Sequence, residues 1–506
     1  IIDWLMTPLM EIGADIALQK GEDSKNVEVL IIDDYKESEG FNKRFISNFS
    51  YFDIPKRLER IINSKKIKNI TVSRVEIKRN FNEKYWPKEV LKTFNLLKTN
   101  GTLPINNNLK ELFINNVNIG DGILSSIISR TKNKNPKYYS EEKYIIEFFN
   151  LFVRRYLTIK EFSRNKPVIE NVVIFNGRFA SSKSIEAVFN EKIKKPRILF
   201  YERSHSIGKF TLNNFKVHDR KKIIKEINNY WLDADNYDEA KKIAETFFKT
   251  KISGKGTDWF PYSKGIQDNR SEKFKKLEKQ KKRKIVYFSS SEDEFESLGD
   301  IWQDKRFKLD QSQIIKELSR ITLEKGMILI IRIHPNLINS SNITKLKWSK
   351  ILEKIPKENL YIFNEEDNTS SYQVIEISDI VVVYGSTIGI ESLYLKKPVI
   401  VTGSSFYYGT NAILKHSYTL PSIKKNIYQI IKENNEINKN KDLLKESSYP
   451  YAYWAYTHGY NFKNFKQEGP IDGKFLGYDL DGIHKTLSKI NKLKNILSKI
   501  SNIFIK

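Results

Sequence analysis

The feature that most constrains the fold is an alternation of short apolar segments with longer amphipathic ones, which occurs twice along the chain. Near the start, VEVLIID is followed by KRLERIINSKKI and then by NITVSRV. From residue 284 onward, helical patterns separate the apolar segments KIVYFSS, MILIIRIHP, LYIFN, DIVVVYGS and PVIVTGSS. Strands that alternate with helices are typical of parallel sheets covered by helices on both faces. The sequence therefore predicts an α/β fold.

The length of the chain predicts two domains, because 506 residues are more than usually fold around a single hydrophobic core. Residues 264–284 contain few large apolar side chains and a run of lysines, which predicts an exposed linker or solvated helix. We expect two Rossmann-like domains that face each other across a cleft, with C-terminal helices that pack back on the body. The expected bounds are residues 1–270, residues 271–445 and a helical tail, residues 446–506, that crosses back to the N-terminal domain.

Charge and composition narrow the classes of partner. The formal net charge of +26 favours anionic partners: nucleotides, acidic glycans, anionic lipids or nucleic acid. The absence of cysteine excludes disulfides, thiolate metal sites and cysteine nucleophiles. No apolar run approaches the ~18 residues of a membrane span, and the first residues lack the pattern of a signal peptide. We therefore expect a cytoplasmic protein.

The end of the chain, from about residue 480, spaces its apolar residues as one face of a helix, with lysines between them. Such a helix either packs on the body of the protein or docks on an anionic membrane surface. The second alternative would make the protein peripheral on the inner face of the cytoplasmic membrane.

Arg332 and His334 stand at the carboxyl end of the strand-like segment MILIIRIHP, which Pro335 ends because proline cannot donate to a sheet. This edge of an open α/β sheet is where ligands bind. A guanidinium group and an imidazole N–H both donate hydrogen bonds to phosphate oxygens. The pair therefore indicates a phosphate site, with a structural histidine as the alternative.

The segment DIVVVYGSTIGIES predicts a buried strand, a turn at Gly385, and Ser386 and Thr387 at the start of a helix. Free backbone N–H groups and two hydroxyls at a helix start attract an anion. Ser290, near the end of KIVYFSS, would extend the same edge. Serine and threonine also cap helices without any ligand, so the two motifs together are more specific than either alone.

The pairing of HP with a later Ser-Thr motif resembles that of GT-B glycosyltransferases that use CMP-activated acidic sugars, including bacterial sialyltransferases and capsule-type Kdo transferases. FNGRF, YER, SSSEDEF, RIHPN and YGSTIGIESLYLKKPVI are similar to segments of bacterial surface-polysaccharide and capsule-biosynthesis proteins. The resemblance covers residues from about 110 to about 410. It implies that His334, Ser386 and Thr387 hold the donor phosphate and that Glu391 bonds a ribose, with a buried helix partner as the alternative role of Glu391.

The N-terminal domain is expected to supply the acceptor site and a general base. Glu202 and Asp121 are the candidates, because both stand at predicted strand-to-helix turns. The Asp121-Gly122 pair is similar to the acid-glycine motif that carries the base in bacterial sialyltransferases. Arg178, Arg203 and His205 are candidates for binding a carboxylate on the donor or acceptor.

No metal and no cofactor are expected. The two Asp-X-Asp strings, Asp233 with Asp235 and Asp479 with Asp481, lie in polar segments and are predicted to be solvated. Arginine, histidine and helix termini can stabilise a leaving phosphate in place of a cation.

The leading interpretation is a metal-independent glycosyltransferase that transfers a sugar, with Kdo or another CMP-activated acidic sugar favoured, to a capsule or lipopolysaccharide glycan. Its acceptor would be an oligosaccharide or lipid-linked glycan. A nucleotide-sugar 2-epimerase and a CDP-glycerol glycerophosphotransferase are alternatives that use the same fold. A basic nucleic-acid-binding protein is the non-enzyme alternative, and we do not favour it because such a protein has no need of two phosphate motifs at strand ends.

Overall fold

The structure of the chain is a computed structural model. It describes residues 1–3, 9–23, 25–33, 54–77, parts of 86–95, 112–134, 138–166, 168–254, 271–340, 342–468 and 473–480. The predicted amphipathic helix after residue 480 lies outside the described residues, as does Asp481.

The helices of the described residues are Leu9–Glu22 (α1), Ile54–Ser64 (α2), Ile119–Thr131 (α3), Tyr138–Ser163 (α4), Ala180–Asn190 (α5), Arg220–Leu232 (α6), Tyr237–Ile252 (α7), Glu272–Glu278 (α8), Glu292–Ser297 (α9), Gln311–Glu324 (α10), Asn342–Glu353 (α11), Ser371–Glu376 (α12), Ile388–Tyr394 (α13), Leu420–Lys432 (α14), Asn434–Lys439 (α15), Lys441–Glu446 (α16) and Tyr449–Thr457 (α17). The strands are Val27–Asp33 (β1), Ile70–Glu76 (β2), Phe113–Ile114 (β3), Val117–Asn118 (β4), Asn171–Phe175 (β5), Arg197–Arg203 (β6), Lys209–Asn213 (β7), Lys284–Phe288 (β8), Ile328–Arg332 (β9), Leu360–Phe363 (β10), Ile380–Val383 (β11), Val399–Val401 (β12), Lys415–His416 (β13), Tyr460–Asn461 (β14), Phe465–Gln467 (β15) and Gly473–Phe475 (β16).

Six parallel strands form the sheet of the C-terminal half, in the order β10-β9-β8-β11-β12-β13. Alternate residues of each strand enter different cores: Val286 and Phe288 pack on one face, Ile285 and Tyr287 on the other. Because helices bury both faces, the strands are continuous apolar runs. The predicted doubly wound α/β architecture is confirmed here.

The main strands of the N-terminal half form two sheets, β1-β2 and β14-β7-β6-β5, from segments that are far apart in the chain. The pairs β1–β2 and β5–β6 are parallel, whereas β7 and β14 add antiparallel strands beyond β6. The first residues of the chain connect the two sheets, since the Ile2 N–H donates to the carbonyl oxygen of Leu30 (2.9 Å) and the amino group of Ile1 donates to that of Val173 (2.7 Å). The antiparallel edge is a difference from a purely parallel Rossmann-like sheet.

After the C-terminal sheet the chain returns to the N-terminal half. Helix α17 packs against α6 and α7, and β14 pairs with β7. The predicted packing of C-terminal helices on the body is therefore confirmed. The domain bounds stay predictions, and α6 and α7 share a core with β8 and β11 although they precede residue 270.

Two segments contain features that the sequence pattern does not predict. The residues before α3 form the short β3–β4 hairpin because Asn115 (φ 49°) and Asn116 (φ 60°) adopt the left-handed turn conformation that asparagine tolerates, a turn for which the sequence analysis gives no prediction. Within the predicted linker, residues 271–284 contain α8, on which Phe274 and Leu277 are buried because residues three apart share a helix face.

Candidate active site

The carboxyl ends of β8, β9 and β11 meet at one edge of the C-terminal sheet. Phe288, the last residue of β8, lies opposite Arg332 of β9 on one side and opposite Val383 of β11 on the other. The residues that follow these three strands are therefore neighbours, and they include the two motifs that the sequence predicts to bind a phosphate.

His334 is fixed by two hydrogen bonds at this edge. Its backbone N–H donates to Ser289 Oγ (2.8 Å), and its ring Nδ1 accepts from the backbone N–H of Asn336 (3.2 Å). With Nδ1 as acceptor, the proton of the neutral ring is assigned to Nε2. Burial, with a smaller contribution from Arg332, lowers the pKa of His334 to about 4. The imidazole is thus a neutral N–H donor at physiological pH.

Ser290 is buried and connects β8 to its neighbours. Its N–H donates to Gln311 Oε1 (2.9 Å), its carbonyl oxygen accepts from Gln311 Nε2 (3.0 Å), and its hydroxyl donates to the carbonyl oxygen of Tyr384 (3.4 Å). These bonds hold the loop after β8 against the loop after β11. The backbone N–H of Ser290 is therefore already used within the protein.

Gly385 makes the close approach of two loops possible. Its φ is +93°, and a Cβ atom there would lie 2.2 Å from the carbonyl oxygen of Ser404. Only glycine fits this position. The half-buried Ser386 and Thr387 follow, and the Thr387 side chain makes no capping hydrogen bond to α13. The edge thus presents the hydroxyl groups of these two residues after β11, and β8 lies between β11 and β9, the strand that precedes His334.

The guanidinium group of Arg332, which the sequence predicts to bind a phosphate, instead donates hydrogen bonds to main-chain carbonyl oxygens. Its Nη1 donates to the carbonyl oxygen of Phe363 (3.4 Å) and to that of Asn364, and its Nη2 donates to that of Asp367 (3.1 Å). The side chain is buried. The guanidinium therefore holds the loop after β10, and a phosphate would have to compete with these carbonyl oxygens.

Glu391, one turn into α13, is also engaged within the protein. Its Oε1 accepts from Lys251 Nζ (2.9 Å) and its Oε2 from the hydroxyl of Tyr372 (2.8 Å). The carboxylate is almost fully buried. The structure thus places Glu391 as the buried helix partner, and a ribose would have to displace one of these bonds.

Glu202, the first candidate base, lies at the end of β6 in a cluster of polar groups. Asn176 Nδ2 donates to Glu202 Oε2 (2.7 Å) and lies 3.2 Å from His218 Nε2. Burial raises the pKa of Glu202. Burial, with contributions from Arg178 and His205, lowers the pKa of His218 to about 3.

The predicted carboxylate-binding residues gather around Glu202. The charges of Arg178 and Arg203 both act on its carboxylate, and the Arg203 N–H donates to Glu202 Oε1 (3.1 Å). Arg178 Nη1 also donates to Ser297 Oγ (2.7 Å), which belongs to α9 in the C-terminal half. The structure therefore brings this acid and these arginines together beside the C-terminal sheet.

A chain of aromatic contacts connects the two groups of residues. The ring of Phe295 lies 6.4 Å from that of Tyr384 and 5.9 Å from that of Trp302. Phe406 continues the chain, 5.5 Å from Trp302 and 6.1 Å from the imidazole of His205. The chain spans from the loop that carries Gly385 to the N-terminal cluster.

Asp121, the second candidate base, stands in the first turn of α3, where its N–H donates to the capping Asn118 Oδ1 (3.0 Å). Helix α3 packs against α5 and α9. A Cβ atom at Gly122 would lie 2.5 Å from Lys183 Cγ, so the glycine serves the close packing of α3 on α5.

Within the ranges that the structure describes, no group of three or more histidine, aspartate or glutamate side chains has a metal-binding arrangement. Asp233 and Asp235 are exposed and Asp479 is half-buried.

Sequence reasoning gave no role to Asn176 or Asn336. Asn176 sits in a left-handed turn (φ 56°) followed by Gly177 (φ 85°), and the Asn-Gly pair after a strand was the available signal. The contact of Asn336 with the imidazole of His334 had no signal beyond proximity in sequence.

The family described as capsule polysaccharide biosynthesis protein matches residues 209–411. This segment contains the His334 and Ser386–Thr387 motifs. The resemblance to capsule-biosynthesis proteins that the sequence predicts is therefore confirmed over this part of the chain. No curated protein matches the sequence.

Solved structures with some likeness to the chain include a beta Kdo 2,4 transferase, KpsC of Thermosulfurimonas dismutans: 14% identity over 50% of this chain and 78% of that chain, with a TM-score of 0.32. S. aureus MnaA, solved with UDP, is 13% identical over 85% of this chain and 93% of that one, with a TM-score of 0.30. The wall teichoic acid polymerase TagF is 15% identical over 45% and 49%, with a TM-score of 0.21.

Among the described residues, none of the helices combines the length and the apolar character that a bilayer-spanning segment needs.

Proposed function

We propose that this capsule-biosynthesis-type chain is a glycosyltransferase that moves a sugar from a nucleotide donor to a growing surface glycan such as capsule or lipopolysaccharide. A CMP-activated acidic sugar, with Kdo as first choice, is the proposed donor. The observation that carries the proposal is the register of β8, β9 and β11: His334 lies beside Ser289, which follows the central strand β8, and Gly385 follows the strand on the other side of β8. The family match over residues 209–411 supports a surface glycan as product.

The donor phosphate is proposed to bind between His334 and the hydroxyls of Ser386 and Thr387. The neutral imidazole donates from Nε2, and the two hydroxyls donate without a change in protonation. Donors that are already oriented stabilise the charge that develops on a departing nucleotide. We propose that this set works without a metal ion.

The acceptor hydroxyl is proposed to lose its proton to a carboxylate of the N-terminal half, Glu202 or Asp121. Glu202 is the first choice because burial raises its pKa, which brings a carboxylate closer to the working pH of a general base. Arg178 and Arg203 lie close enough to act on Glu202, and their charge suits the carboxylate of an acidic sugar.

We further propose that the reaction takes place in the cytoplasm, on an acceptor at the inner face of the membrane. The net charge of +26 supports contact with an anionic surface or an acidic glycan.

The test is nucleotide binding, measured by thermal shift and calorimetry with CMP, CDP, UDP, GDP and ADP in the presence of EDTA. We expect CMP to bind selectively and His334→Ala to weaken its affinity by ~10- to 100-fold, because a hydrogen bond to a charged group contributes about 1.5–3 kcal/mol. Selective binding of UDP or GDP would contradict the CMP donor, and binding of no nucleotide would contradict the phosphate site.

A matched pair of serines controls for stability. Ser386 follows the carboxyl end of β11, whereas Ser378 precedes its amino end and donates to the carbonyl oxygen of Val374 (2.6 Å). We expect Ser386→Ala to weaken CMP binding and Ser378→Ala to leave it unchanged. Equal effects of the two substitutions would mean that the binding loss reflects stability alone.

A further inference from the structure

Helix α9 begins with three consecutive acids, and its third acid reaches the loop that carries His334. Asn336 Nδ2 donates a hydrogen bond to Glu294 Oε1. The backbone N–H of the same Asn336 donates to His334 Nδ1. One asparagine thus joins a carboxylate of α9 to the imidazole at the candidate phosphate site.

This connection bears on the state of the His334 ring. Asn336 lies in the 3₁₀ turn Pro335–Asn339 that His334 itself caps. The hydrogen bond from the Asn336 side chain to Glu294 limits the positions that this turn can adopt. The position of the turn fixes the backbone N–H of Asn336 that donates to His334 Nδ1. Since Nδ1 accepts, the ring presents its remaining N–H from Nε2.

The start of α9 is also held from the N-terminal half. Lys134 pairs with Glu292, and Lys132 Nζ lies 4.0 Å from Asp293 Oδ2. At the end of the helix, Arg178 donates to Ser297 Oγ. Helix α9 therefore stands between the N-terminal cluster and the His334 loop, with polar contacts to both.

Glu294 occupies an unfavourable environment for an ionised carboxyl group. Burial and then the charge of Asp293 raise its pKa to about 7, while Lys132, Arg178 and the bond from Asn336 act in the opposite direction. A buried carboxyl group that lowers the free energy of unfolding when it is ionised is typical of a functional site, because function can require side chains that do not stabilise the fold.

We propose that Glu294 is a positioning residue for the donor site, which orients the His334 imidazole through Asn336. This inference rests on the proposed function in so far as His334 binds the donor phosphate. Glu294 itself is not assigned any contact with the substrate.

The primary test follows the His334 ring without any ligand. Protein labelled with ¹⁵N in its histidine rings is compared for the wild type, Glu294→Ala and Asn336→Ala, and His334→Ala assigns the signal. We expect both variants to shift the Nδ1 and Nε2 resonances of His334 and the double variant to shift them no further, because the two residues act in series. Unchanged resonances in Glu294→Ala would overturn the inference.

Nucleotide affinity supplies the second readout. In Glu294→Ala we expect the CMP dissociation constant to rise about tenfold with a melting temperature equal to or above that of the wild type. Glu296→Ala, an exposed acid two residues further along α9, is the matched control and should change neither. A loss of affinity that always accompanies a loss of stability would contradict a positioning role.

An exchange of groups keeps the test informative if an alanine variant does not fold. Asn336→Asp sets two carboxylates against each other and should weaken binding, whereas Asn336→Asp with Glu294→Gln restores one amide and one carboxylate and should recover it. Failure of that recovery would contradict the inference. If the wild type binds no nucleotide, the proposed function fails, and the ring resonances still decide the role of Glu294.

Discussion

At the edge of the C-terminal sheet, the candidate phosphate ligands follow three adjacent parallel strands, and main-chain register decides which of them are neighbours. In the N-terminal half, Glu202 and its partners come from β6, from the turn after β5 and from the loop before α6, and side-chain contacts hold them together. The first arrangement is a property of the fold. The second depends on individual side chains, several of them titratable and buried.

Because of this difference, we expect different kinds of substitution to disrupt the two halves. A backbone change is expected to damage the C-terminal edge, because its geometry depends on close approach of loops. A change of charge or protonation is expected to damage the N-terminal cluster, because burial shifts the pKa values of Glu202 and His218 in opposite directions.

The largest expected effect concerns the base. We expect Glu202→Gln to lower turnover by ~10²- to 10⁴-fold, equivalent to about 3–5 kcal/mol of barrier, because general base catalysis contributes that much. CMP affinity should stay unchanged, since the phosphate site lies at the other sheet. Nucleotide release from the donor, with the glycan acceptor that gives the highest wild-type rate, measures the effect.

Asp121→Asn is the matched variant for this prediction, since it removes the other candidate carboxylate. A large loss of turnover in Asp121→Asn together with normal turnover in Glu202→Gln would move the base from β6 to α3. A loss of CMP affinity in Glu202→Gln would instead contradict the claim that the phosphate site and the N-terminal cluster act independently.

The next effect concerns the backbone of the C-terminal edge. Gly385→Ala combines a left-handed φ with a Cβ placed 2.2 Å from the Ser404 carbonyl oxygen, and we expect it to lower the free energy of unfolding by about 3 kcal/mol. Gly326→Ala has a φ of +61° but nothing within 4 Å of the added Cβ, so about 1 kcal/mol is expected. Denaturant titration measures both, and equal losses would show that crowding is absent at Gly385.

The smallest effect is a dependence of stability on pH. Because burial lowers the pKa of His218 to about 3, the unfolded chain takes up a proton below pH ~6.5 that the folded chain does not. Its contribution to stability is present above that pH and is lost as pH falls. We expect His218→Gln to lose about 2 kcal/mol less than the wild type between pH 7 and pH 5, measured by urea unfolding.

His334→Gln tests the same window in the other half, where the pKa of the histidine is lowered to about 4. Glu294, whose pKa is raised to about 7, acts in the opposite direction, and it cancels from the difference between the wild type and His218→Gln because His218 lies outside the Glu294–Asn336–His334 connection. If the free energy of unfolding depends on pH identically in the wild type and His218→Gln, His218 takes up its proton over the same pH range in the folded and the unfolded chain, which would contradict the prediction.

The predicted residues differ in how well sequence reasoning placed them. His334, Ser290 and Gly385 lie at one edge of the sheet because each follows an apolar strand and the ends of adjacent parallel strands meet, while their role in phosphate binding stays a prediction. Arg332 stands at the same edge, yet its guanidinium turns to the carbonyl oxygens after β10. Strand position fixes where a Cα atom lies but not where a long side chain finds its hydrogen bonds.

The sequence by itself determined the alternation of strands and helices, the doubly wound C-terminal sheet and the loops that carry its polar motifs, since these follow from apolar periodicity and from glycine and proline. Only the tertiary structure decided the antiparallel edge of the N-terminal sheet that contains β6, the burial of Glu391 against Lys251 and the contact of Glu294 with Asn336. The physical reason is that these features join residues far apart in the chain, whose meeting depends on the packing of whole elements rather than on any local pattern.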